Sequence, residues 1–473
     1  MGQPPDPTSV RIPLDLPTDR LVAAVGAWPE PAILESGPGF GPAGRWSILA
    51  AYPRLVFEAV GARWSIRTDS GTFEQGDDPL ARLEALAREH RLADPADEAD
   101  PDACPFQGGL IGFLGYDLAP LLERLPRKAP RDSRLPDVRM ALYDTAVAID
   151  LERGATAILA WDLAGEGREA VERRAKFWRR ALRGAVASPR HLGRSALGEA
   201  VSNYTRDEYL DAARRAIEYV HAGDVFQVNL SQRFEARGKV DPLDLHLRLR
   251  RESPAPFSAF LRWRDLAVAS ASPEWFYQTR GDRIVTRPIK GTRPRGDSPE
   301  SDAALAAELT SSPKDRAELT MIVDLERNDL GRVCRFGTVE VVEALALESY
   351  AQVHHLVATV EGRLRRGVGP IDVVRATFPG GSITGAPKIR AMEIIDELEP
   401  SRRSLYTGAI GYLSRGGTSG FNIAIRTVTV EGDRVRYQVG GGIVADSSAE
   451  AEFEETLHKG RGMRRVLAGE DSP

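Results

Sequence analysis

Lys290 lies in the segment whose residues are best suited to chemistry, TRPIKGTRPRG at residues 286–296. Pro288 comes two positions before it and Gly291 follows it, so residues with special backbone preferences restrict the direction of its side chain. The nearby arginines would attract an anionic small molecule and favour the neutral, nucleophilic form of the lysine. These arginines are Arg287, Arg293 and Arg295. A solvated basic hairpin would have the same composition, and only the rest of the chain decides between the two.

Two stretches predicted as helices each carry an acidic pair at positions i and i+3, namely Asp315 with Glu318 and Glu452 with Glu455. Side chains at this spacing lie on one face of a helix, and Lys459 follows one turn further along the second helix. If the two helices face each other, four carboxylates converge, which requires a cation between them. Hard oxygen ligands with room left for water and substrate suit Mg²⁺. Taken singly, each pair is more typical of a solvated helix face.

Two glycine-rich segments are candidates for anion binding. FPGGSITGAPKIRAMEII begins at Phe378 and leads into a helix predicted to open at Pro387, whose free N–H groups and dipole favour a carboxylate. The glycines at 440–442 follow a predicted strand and let a ligand approach the backbone, although a β-bulge would use them equally well. Arg426 lies on an otherwise apolar strand and needs an anionic partner if it points inward. No glycine motif for nucleotides follows a strand, which disfavours nucleotide binding.

The elements that must position these residues lie on either side of residues 188–198, a segment without periodicity that is predicted to be a linker. Residues 1–187 alternate short β-like runs with turns and contain two helical patterns, which indicates a mostly antiparallel α+β unit. Thr205 and Glu208 form a T-x-x-E capping box before an apolar stripe, so a helix is predicted to begin there. We predict an N-terminal α+β domain at 1–187 and a second domain, rich in alternating strands, at 199–468.

The bulk composition disfavours several classes of function. The 473 residues carry a formal charge of -5, which argues against nucleic acids and membrane surfaces and favours small molecules or proteins as partners. No apolar run approaches the roughly 18 residues that span a bilayer, and the N-terminus lacks the features of a signal peptide. Cys104 and Cys334 belong to no motif and are interpreted as structural cysteines of a reducing compartment. A cytoplasmic protein is therefore expected.

Six motifs in a consistent order resemble the chorismate-utilising enzymes, the family of anthranilate, aminodeoxychorismate, isochorismate and salicylate synthases. The motifs are PIKGTRPRG, residues 318–331, HHLVA, PGGSITGAPKIRAMEIIDELE, FNIAIRT and QVGGGIVADSSAEAEFEET. The resemblance is dense over residues 203–466 and loose before them. It implies a large β-sandwich-like core of mostly antiparallel sheets flanked by helices, with chorismate bound in the second domain.

The resemblance also implies a role for each candidate side chain. The ligands of Mg²⁺ and the carboxylates that support them would be Glu318, Glu455, Asp315 and Glu452. The metal would hold the ring carboxylate of chorismate. The enolpyruvyl carboxylate and the rest of the substrate would be contacted by Tyr406, Arg426, Ser382, Gly440, Gly442 and Lys459. His355 matches the family histidine near the reacting ring, although the adjacent His354 shows that a histidine here can also belong to the core.

Lys290 and Glu274 indicate which member of the family the chain resembles. In the pattern of anthranilate synthases an alanine stands at the position of Lys290, and the lysine is the pattern of aminodeoxychorismate synthase component I. The resemblance implies that Lys290 attacks C2 of chorismate while Glu274, as general acid and base, assists loss of the C4 hydroxyl. Ammonia then adds at C4 and gives 4-amino-4-deoxychorismate, the precursor of 4-aminobenzoate and folate. Gln227 replaces the lysine base of the water-using members, which disfavours isochorismate chemistry.

The partner and the rival functions complete the expectations. No G-x-C-x-G nucleophile segment is present, so a separate glutamine amidotransferase subunit is implied as the source of ammonia. The alternatives are anthranilate synthase component I, an enzyme that makes both products, and a non-catalytic, tryptophan-binding homologue. ILES and SPAPFSAF resemble the two walls of the tryptophan site of anthranilate synthases, and it stays open whether tryptophan would be a structural ligand or an inhibitor. The residues concerned are Glu35, Ser36, Pro254 and Phe257.

Overall fold

Strands from both halves of the chain build two large antiparallel sheets. The computed structural model describes residues 9–37, 39–40, 44–93, 102–187, 193, 195–350 and 353–469. The strands of this part of the chain are β1 (Ser9–Pro13), β2 (Ala32–Glu35), β3 (Trp46–Ala50), β4 (Leu55–Val60), β5 (Arg63–Thr68), β6 (Phe73–Asp77), β7 (Gly109–Leu114), β8 (Val138–Tyr143), β9 (Thr145–Asp150), β10 (Ala155–Trp161), β11 (Ala196–Leu197), β12 (Val201–Ser202), β13 (Gln227–Lys239), β14 (Phe257–Trp263), β15 (Leu266–Ser272), β16 (Trp275–Arg280), β17 (Arg283–Arg287), β18 (Ile289–Pro294), β19 (Glu340–Ser349), β20 (Val353–Arg363), β21 (Gly385–Ala386), β22 (Ala409–Ser414), β23 (Thr418–Ile423), β24 (Thr427–Glu431) and β25 (Arg434–Ile443).

The order of the strands mixes early and late parts of the sequence. The first sheet runs β1-β10-β9-β3-β2-β14-β15-β24-β25-β13-β11, with β12 and β21 also paired to β13. The second runs β18-β20-β17-β16-β23-β22-β7-β8-β4-β5-β6, with β19 also paired to β20. The predicted domains at 1–187 and 199–468 thus contribute strands to both sheets, and the division between them stays a prediction.

Helices cover the outer face of each sheet. Those of the described residues are α1 (Thr18–Gly26), α2 (Pro79–Glu89), α3 (Arg168–Ala187), α4 (Arg206–His221), α5 (Pro242–Glu252), α6 (Pro299–Ser311), α7 (Pro313–Gly331), α8 (Pro370–Thr377), α9 (Lys388–Leu398) and α10 (Ala449–Ala468). Apolar residues of α1, α3, α5 and α10 form one core with the first sheet, and those of α2, α7 and α8 form another with the second. None of the described helices is long and apolar enough to cross a membrane.

The inner faces of the two sheets pack against each other. Ile48 and Val268 of the first sheet share a buried cluster with Phe113 and Tyr412 of the second. Trp263 of the first sheet meets Phe113 with ring centroids 5.8 Å apart. Two packed sheets with helices outside them confirm the predicted α+β class and its β-sandwich-like core.

Local signals in the sequence have mixed outcomes. The capping box at α4 is confirmed, because the Glu208 carboxylate accepts from the Thr205 amide at 2.8 Å and the Thr205 hydroxyl accepts from the Glu208 amide at 3.3 Å. The prediction of an irregular linker at 188–198 is wrong for β11, which pairs with the end of β13. The thirteen residues of β13 run past its other partners and leave an edge that this short strand completes. Residues 188–192 and 194 of the linker lie outside the described residues.

Candidate active site

A cavity of about 550 Å³ gathers the residues singled out in the sequence. It lies among β18, the first turn of α7, β25 and the N-terminal half of α10. All thirteen candidates for catalysis, substrate binding and metal binding line it, namely Glu274, Lys290, Asp315, Glu318, His355, Ser382, Tyr406, Arg426, Gly440, Gly442, Glu452, Glu455 and Lys459. These positions span more than 180 residues of sequence, so only the fold brings them together.

Lys290 reaches the cavity from a bulge in β18. It pairs with Leu356 of β20, Thr292 pairs with His355, and Gly291 is the extra residue between them. Gly291 has a φ of +73°, and a side chain there would come within 2.7 Å of Leu309 and 2.9 Å of Asp315. Only glycine therefore allows this backbone and the close approach of α7.

The environment of Lys290 favours a neutral amine. Its Nζ donates to the Ser382 carbonyl at 3.4 Å. Burial lowers the pKa of Lys290 and the charge of Lys459 adds to that effect, against the opposing carboxylates of Glu318 and Glu274. The direction agrees with the prediction from the sequence.

The cause of that shift differs from the predicted one. The three arginines of the segment are each paired with a carboxylate, so their field does not act on the lysine as expected. Arg287 is paired with Glu348, Arg293 with Glu308 and Asp315, and Arg295 with Asp302. The alternative of a solvated basic hairpin is wrong for Lys290, since its side chain lines the cavity together with Glu274 and four carboxylates.

Glu274 lies between β15 and β16, on the same side of the cavity as Lys290. Its carbonyl accepts from the Ile423 amide at 3.1 Å, which fixes the backbone against the end of β23. The residue is buried, and burial raises the pKa of its carboxyl above the usual range, an effect that the Lys290 ammonium only partly offsets. A carboxyl whose pKa is raised in this way can act as a proton donor to a leaving group.

The two acidic pairs face the cavity from different helices. The Ser312 hydroxyl caps α7 by accepting from the Asp315 amide at 3.2 Å, and the Ser448 hydroxyl caps α10 by accepting from the Ala451 amide at 3.2 Å. Burial raises the pKa of Glu318 and of Glu452. Both pairs thus line the same cavity.

The carboxylates suit a hard cation in kind, but lysines already neutralise two of them. Glu455 is 2.6 Å from Lys459, which holds its pKa below the usual value despite burial, and Glu318 is 3.9 Å from Lys314. No described residue donates a hydrogen bond to the buried Oε2 of Glu452. Within the described part of the chain no three acidic, histidine or cysteine side chains are close enough to hold a metal as they stand.

Arg426 presents a positive charge on the opposite wall. Its guanidinium is enclosed by protein, and no carboxylate of the described residues pairs with it, so burial lowers its pKa. Its backbone has a φ of +47°, an unfavourable conformation for arginine that functional sites often retain. The Tyr406 ring also lines this cavity, and Cζ of Arg403 lies over it at 5.6 Å from the ring centroid. An unpaired guanidinium in a cavity is a binding site for the carboxylate of a ligand.

The two adjacent histidines have different surroundings. Nδ1 of His355 lies 2.9 Å from the Thr292 hydroxyl, and burial, helped by the charge of Arg426, lowers the pKa of His355 to about 4. His354 instead faces Asp302 at 2.9 Å and the Ser349 hydroxyl at 2.7 Å. His355 is thus a neutral imidazole in the cavity wall, and His354 belongs to the surrounding structure.

Neighbouring protein atoms leave little room for side chains at the glycines of β25. A side chain at Gly440 would come within 2.5 Å of the Leu230 carbonyl, and one at Gly442 within 2.9 Å of the Gln227 side chain. At Gly441 it would come within 2.7 Å of Oε2 of Glu452. Close packing of β25 against β13 and α10 therefore explains these glycines, and it leaves Gly440 and Gly442 on the cavity wall.

The predicted anion site at the start of α9 is not part of this cavity and stays a prediction. The helix begins at Lys388, with Pro387 as its N-cap, and neither residue lines the cavity. The backbone before it is drawn away because β21 pairs with the start of β13. The glycine-rich turn contributes Ser382 and Ile383 instead.

Comparison with known proteins identifies the family. A sequence model described as chorismate binding enzyme matches residues 46–465. Aminodeoxychorismate synthase component 1 of Salmonella typhimurium is 43% identical over 454 residues, covering 95% of each chain. This chain belongs to the chorismate-binding enzymes.

Other chorismate-binding enzymes are nearly as similar. Anthranilate synthase component 1 of Thermus thermophilus is 40% identical over 418 residues, covering 88% of this chain and 89% of that protein. The crystal structure of anthranilate synthase component I from Streptococcus pneumoniae has a TM-score of 0.78 at 32% identity, covering 92% of this chain and 94% of that one. Similarity over the whole length thus establishes the family and does not choose the member.

Several lining residues of this chorismate-binding enzyme were not predicted to belong to the site, among them the polar residues Asn229, Lys314 and Gln438. Lys314 lies in the first turn of α7 beside Asp315, and a lysine at an acidic helix start is a signal that the sequence offered. Asn229 and Gln438 lie on β13 and β25 with no special spacing, so the sequence carried no signal for them.

A second cavity of about 130 Å³ contains most of the predicted tryptophan site. Glu35, Ser36 and Phe257 line it, whereas Pro254 lies outside its wall and Pro256 takes that place. Pro256 faces the cavity because the Ser36 hydroxyl donates to its carbonyl at 2.5 Å. The Glu35 carboxylate is 2.9 Å from Arg250 and 3.1 Å from His246, and both hold its pKa below the usual value against the effect of burial.

Proposed function

We propose that this chain is component I of an aminodeoxychorismate synthase, which converts chorismate and ammonia to 4-amino-4-deoxychorismate. The observation that carries the proposal is that Lys290 and Glu274 line the same cavity, each with a pKa shifted by burial towards its neutral form. A neutral amine is a nucleophile and a neutral carboxyl is a general acid, so the two groups match the two ends of one substitution.

In the first step the Lys290 amine forms a bond to C2 of chorismate. The C1–C2 double bond moves to C1–C6, the C5–C6 double bond moves to C4–C5, and the C4–O bond breaks. Glu274 gives its proton to the departing hydroxyl, which leaves as water. The amine loses a proton as the C–N bond forms, and the Glu274 carboxylate is the base in reach once it has acted as an acid.

In the second step ammonia forms a bond to C4 and the double bonds return to their original positions. The bond between C2 and Lys290 breaks, and the lysine leaves as a free amine. The new ammonium group at C4 loses one proton, and the lysine nitrogen takes up one proton as it leaves. The net change is one ammonia consumed and one water released, with no oxidant or reductant.

Ammonia would come from a separate glutamine amidotransferase subunit. Neither cysteine of this chain offers a nucleophile for glutamine hydrolysis, because Cys104 and Cys334 are buried and burial raises the pKa of their thiols to about 12 and about 11. Added ammonium should replace the partner in vitro.

The carboxylates of the substrate would bind at opposite walls. Arg426 and Tyr406, with Ser382 and the backbone of Gly440 and Gly442, would hold the enolpyruvyl carboxylate, and Lys459 and the neutral His355 would contact the ring side. Glu318 and Glu455 would hold Mg²⁺, supported by Asp315 and Glu452. Bound Mg²⁺ would supply positive charge to the ring carboxylate.

Anthranilate synthase component I is the second candidate, favoured by the 40% identity to the Thermus thermophilus protein and by the second cavity. Tryptophan is the ligand we propose for that cavity, and its role there as inhibitor or structural ligand is part of the same question. The predicted cytoplasmic location stays a prediction.

The products decide between the candidates. Purified protein is incubated with chorismate, Mg²⁺ and ammonium, and the products are separated by chromatography. The proposal expects 4-amino-4-deoxychorismate without pyruvate. Anthranilate with an equal amount of pyruvate would overturn it, a mixture would indicate an enzyme that makes both, and no turnover would favour a non-catalytic homologue.

A further inference from the structure

Glu326 is a half-buried residue whose carboxyl group the proposed reaction does not use. It lies in α7, two turns beyond Glu318, and its Oε2 is 2.8 Å from the hydroxyl of Thr286 in β17. A space of only about 10 Å³ remains beside it, which its neighbours Phe276 and Thr286 also line. A carboxyl group so enclosed must find its hydrogen-bond partners in the protein.

The hydrogen bonds at Thr286 determine the protonation of Glu326. The Thr286 hydroxyl lies 2.7 Å from the Phe276 carbonyl and 2.8 Å from Oε2 of Glu326. A hydroxyl has one proton, so it can donate to only one of these two oxygens, and the Phe276 carbonyl can only accept. Both contacts are therefore hydrogen bonds only when Thr286 donates to Phe276 and Glu326, as a neutral carboxylic acid, donates to the Thr286 oxygen.

The charges around Glu326 agree with this assignment. Burial raises the pKa of Glu326 well above the usual value and outweighs the hydrogen bond with Thr286, which lowers it, while Glu274 and Asp329, when ionised, act in the same direction as burial. Lys388 opposes them, but its ammonium is 2.6 Å from the Asp329 carboxylate and donates to the Thr377 carbonyl at 2.9 Å. The Lys388 ammonium therefore pairs with Asp329, and the neighbouring Glu326 carboxyl group keeps its proton.

The hydrogen bonds that link Glu326, Thr286 and Phe276 lie at a β-bulge beside the reacting groups. Trp275 pairs with Arg287 and Gln278 with Val285, so Phe276 and Tyr277 lie opposite the single residue Thr286. The bulge comes directly after Glu274, and the same strand pair leads into the bulge that carries Lys290. The hydrogen bonds from Glu326 through Thr286 to Phe276 thus connect α7 to the backbone that carries Glu274 and Lys290.

We propose that Glu326 keeps its proton throughout turnover and is a positioning residue, whose hydrogen bond to Thr286 fixes the bulge that orients Glu274 and Lys290. The roles of Glu274 and Lys290 rest on the proposed function. The protonation of Glu326 does not, because it follows from hydrogen bonds that are independent of the product.

Infrared spectroscopy of the full chain without chorismate tests the protonation. Wild type at neutral pH should show the C=O stretch of a protonated, buried carboxyl group that disappears in Glu326→Gln. Asp324→Asn is the matched control, since Asp324 lies on the exposed face of the same helix and is paired with Arg327 at 3.0 Å. A Glu326→Gln spectrum that retains every protonated band of wild type would overturn the proposal.

Turnover of chorismate, whatever the product, tests the positioning. The amide of Glu326→Gln can donate to Thr286 as the acid does, so kcat should stay within about threefold of wild type. Glu326→Leu and Thr286→Val remove the bond, and each should lower kcat by roughly tenfold or more with KM little changed. A kcat for Glu326→Gln as low as that for Glu326→Leu would mean that the proton moves during turnover, and would contradict the proposal. Unchanged kcat in folded Glu326→Leu and Thr286→Val would contradict it as well.

Discussion

The two cavities of this enzyme differ in whether their arginine has a carboxylate partner. In the larger one the Arg426 guanidinium has no carboxylate partner among the described residues and Oε2 of Glu452 has no donor. In the smaller one the Glu35 carboxylate is 2.9 Å from Arg250 and 3.1 Å from His246. A buried charge without a partner lowers the stability of a protein, and it has a use where a ligand of opposite charge pairs with it. The difference indicates that the larger cavity leaves charge for a ligand to pair, and that the smaller one is completed largely by the protein.

The cavities are close in the structure despite this difference. Glu274 lines the larger cavity and the next residue, Trp275, lines the smaller one. Trp275 meets Phe257 there with ring centroids 5.5 Å apart. A ligand in the smaller cavity would therefore touch the strand that positions the general acid.

Loss of the nucleophile should have the largest effect on the larger cavity. Lys290→Ala removes the amine that would bond to C2, so turnover of chorismate should fall by roughly 10³-fold or more. Lys176→Ala, at an exposed position of α3, is the control and should be unaffected. Turnover of Lys290→Ala within tenfold of wild type would show that the cavity works without this lysine.

Removal of the proposed general acid should have the next largest effect. Glu274→Gln keeps the size of the side chain but has no proton to give, and should lower kcat by about 10²-fold to 10⁴-fold. Because burial raises the pKa of Glu274, wild-type turnover should decline as the pH rises through that raised value, where the acid loses its proton. A pH profile of kcat measures both effects, and the same decline in Glu274→Gln would assign it to another group.

A pair of arginine substitutions should change stability in opposite directions. Arg250→Met leaves Glu35 buried without its guanidinium and should destabilise the protein by about 3 kcal/mol, whereas Arg426→Met removes an unpaired charge and should stabilise it by about 1 kcal/mol. Urea denaturation at pH 7 measures both. Two changes of the same sign would break the contrast between the cavities.

The pH dependence of the first of these effects has a defined sign. His246 and Arg250 hold the pKa of Glu35 below its ordinary value of 4.5. Its ionised form therefore contributes stability above that value, and the contribution is lost as the pH falls through the lowered pKa. The deficit of Arg250→Met should shrink over the same range.

The smallest effect is expected at the second cavity. Phe257→Ala removes part of its aromatic wall and should weaken binding of tryptophan by roughly tenfold, measured by calorimetry. Phe336→Ala, at a fully exposed position, is the control. Equal affinities of both variants and wild type would place tryptophan elsewhere.

Local signals in the sequence predicted some members of the larger cavity, and the family resemblance added others, such as Glu274, His355 and Tyr406. Acidic pairs at i and i+3, a lysine beside glycine and a glycine run can be recognised without coordinates. Their assembly was not accessible in this way, since the bulge that aims Lys290 depends on pairing with β20, far away in the chain, and the bulge beside Glu274 depends on a register shift between β16 and β17. The sequence also predicted the wrong cause for the lowered pKa of Lys290, because it could not show that each nearby arginine is paired with a carboxylate.

Glu326 shows the same limit for a single residue. In the sequence it is one more charged residue of a helix, between Asp324 and Asp329. Its protonation follows only from the Thr286 hydroxyl, which lies forty residues earlier in the chain and has to satisfy the Phe276 carbonyl. Hydrogen-bond partners across strands of a sheet cannot be read from spacing along the chain.

The most direct test of the account is the mass of the protein after reaction with chorismate and Mg²⁺ in the absence of ammonia. We expect a chorismate-derived adduct, less one water, that peptide mapping locates on Lys290 and that added ammonium releases as 4-amino-4-deoxychorismate. The adduct should be absent from Lys290→Ala. An adduct of the same mass in Lys290→Ala, or anthranilate as the released product, would contradict the account.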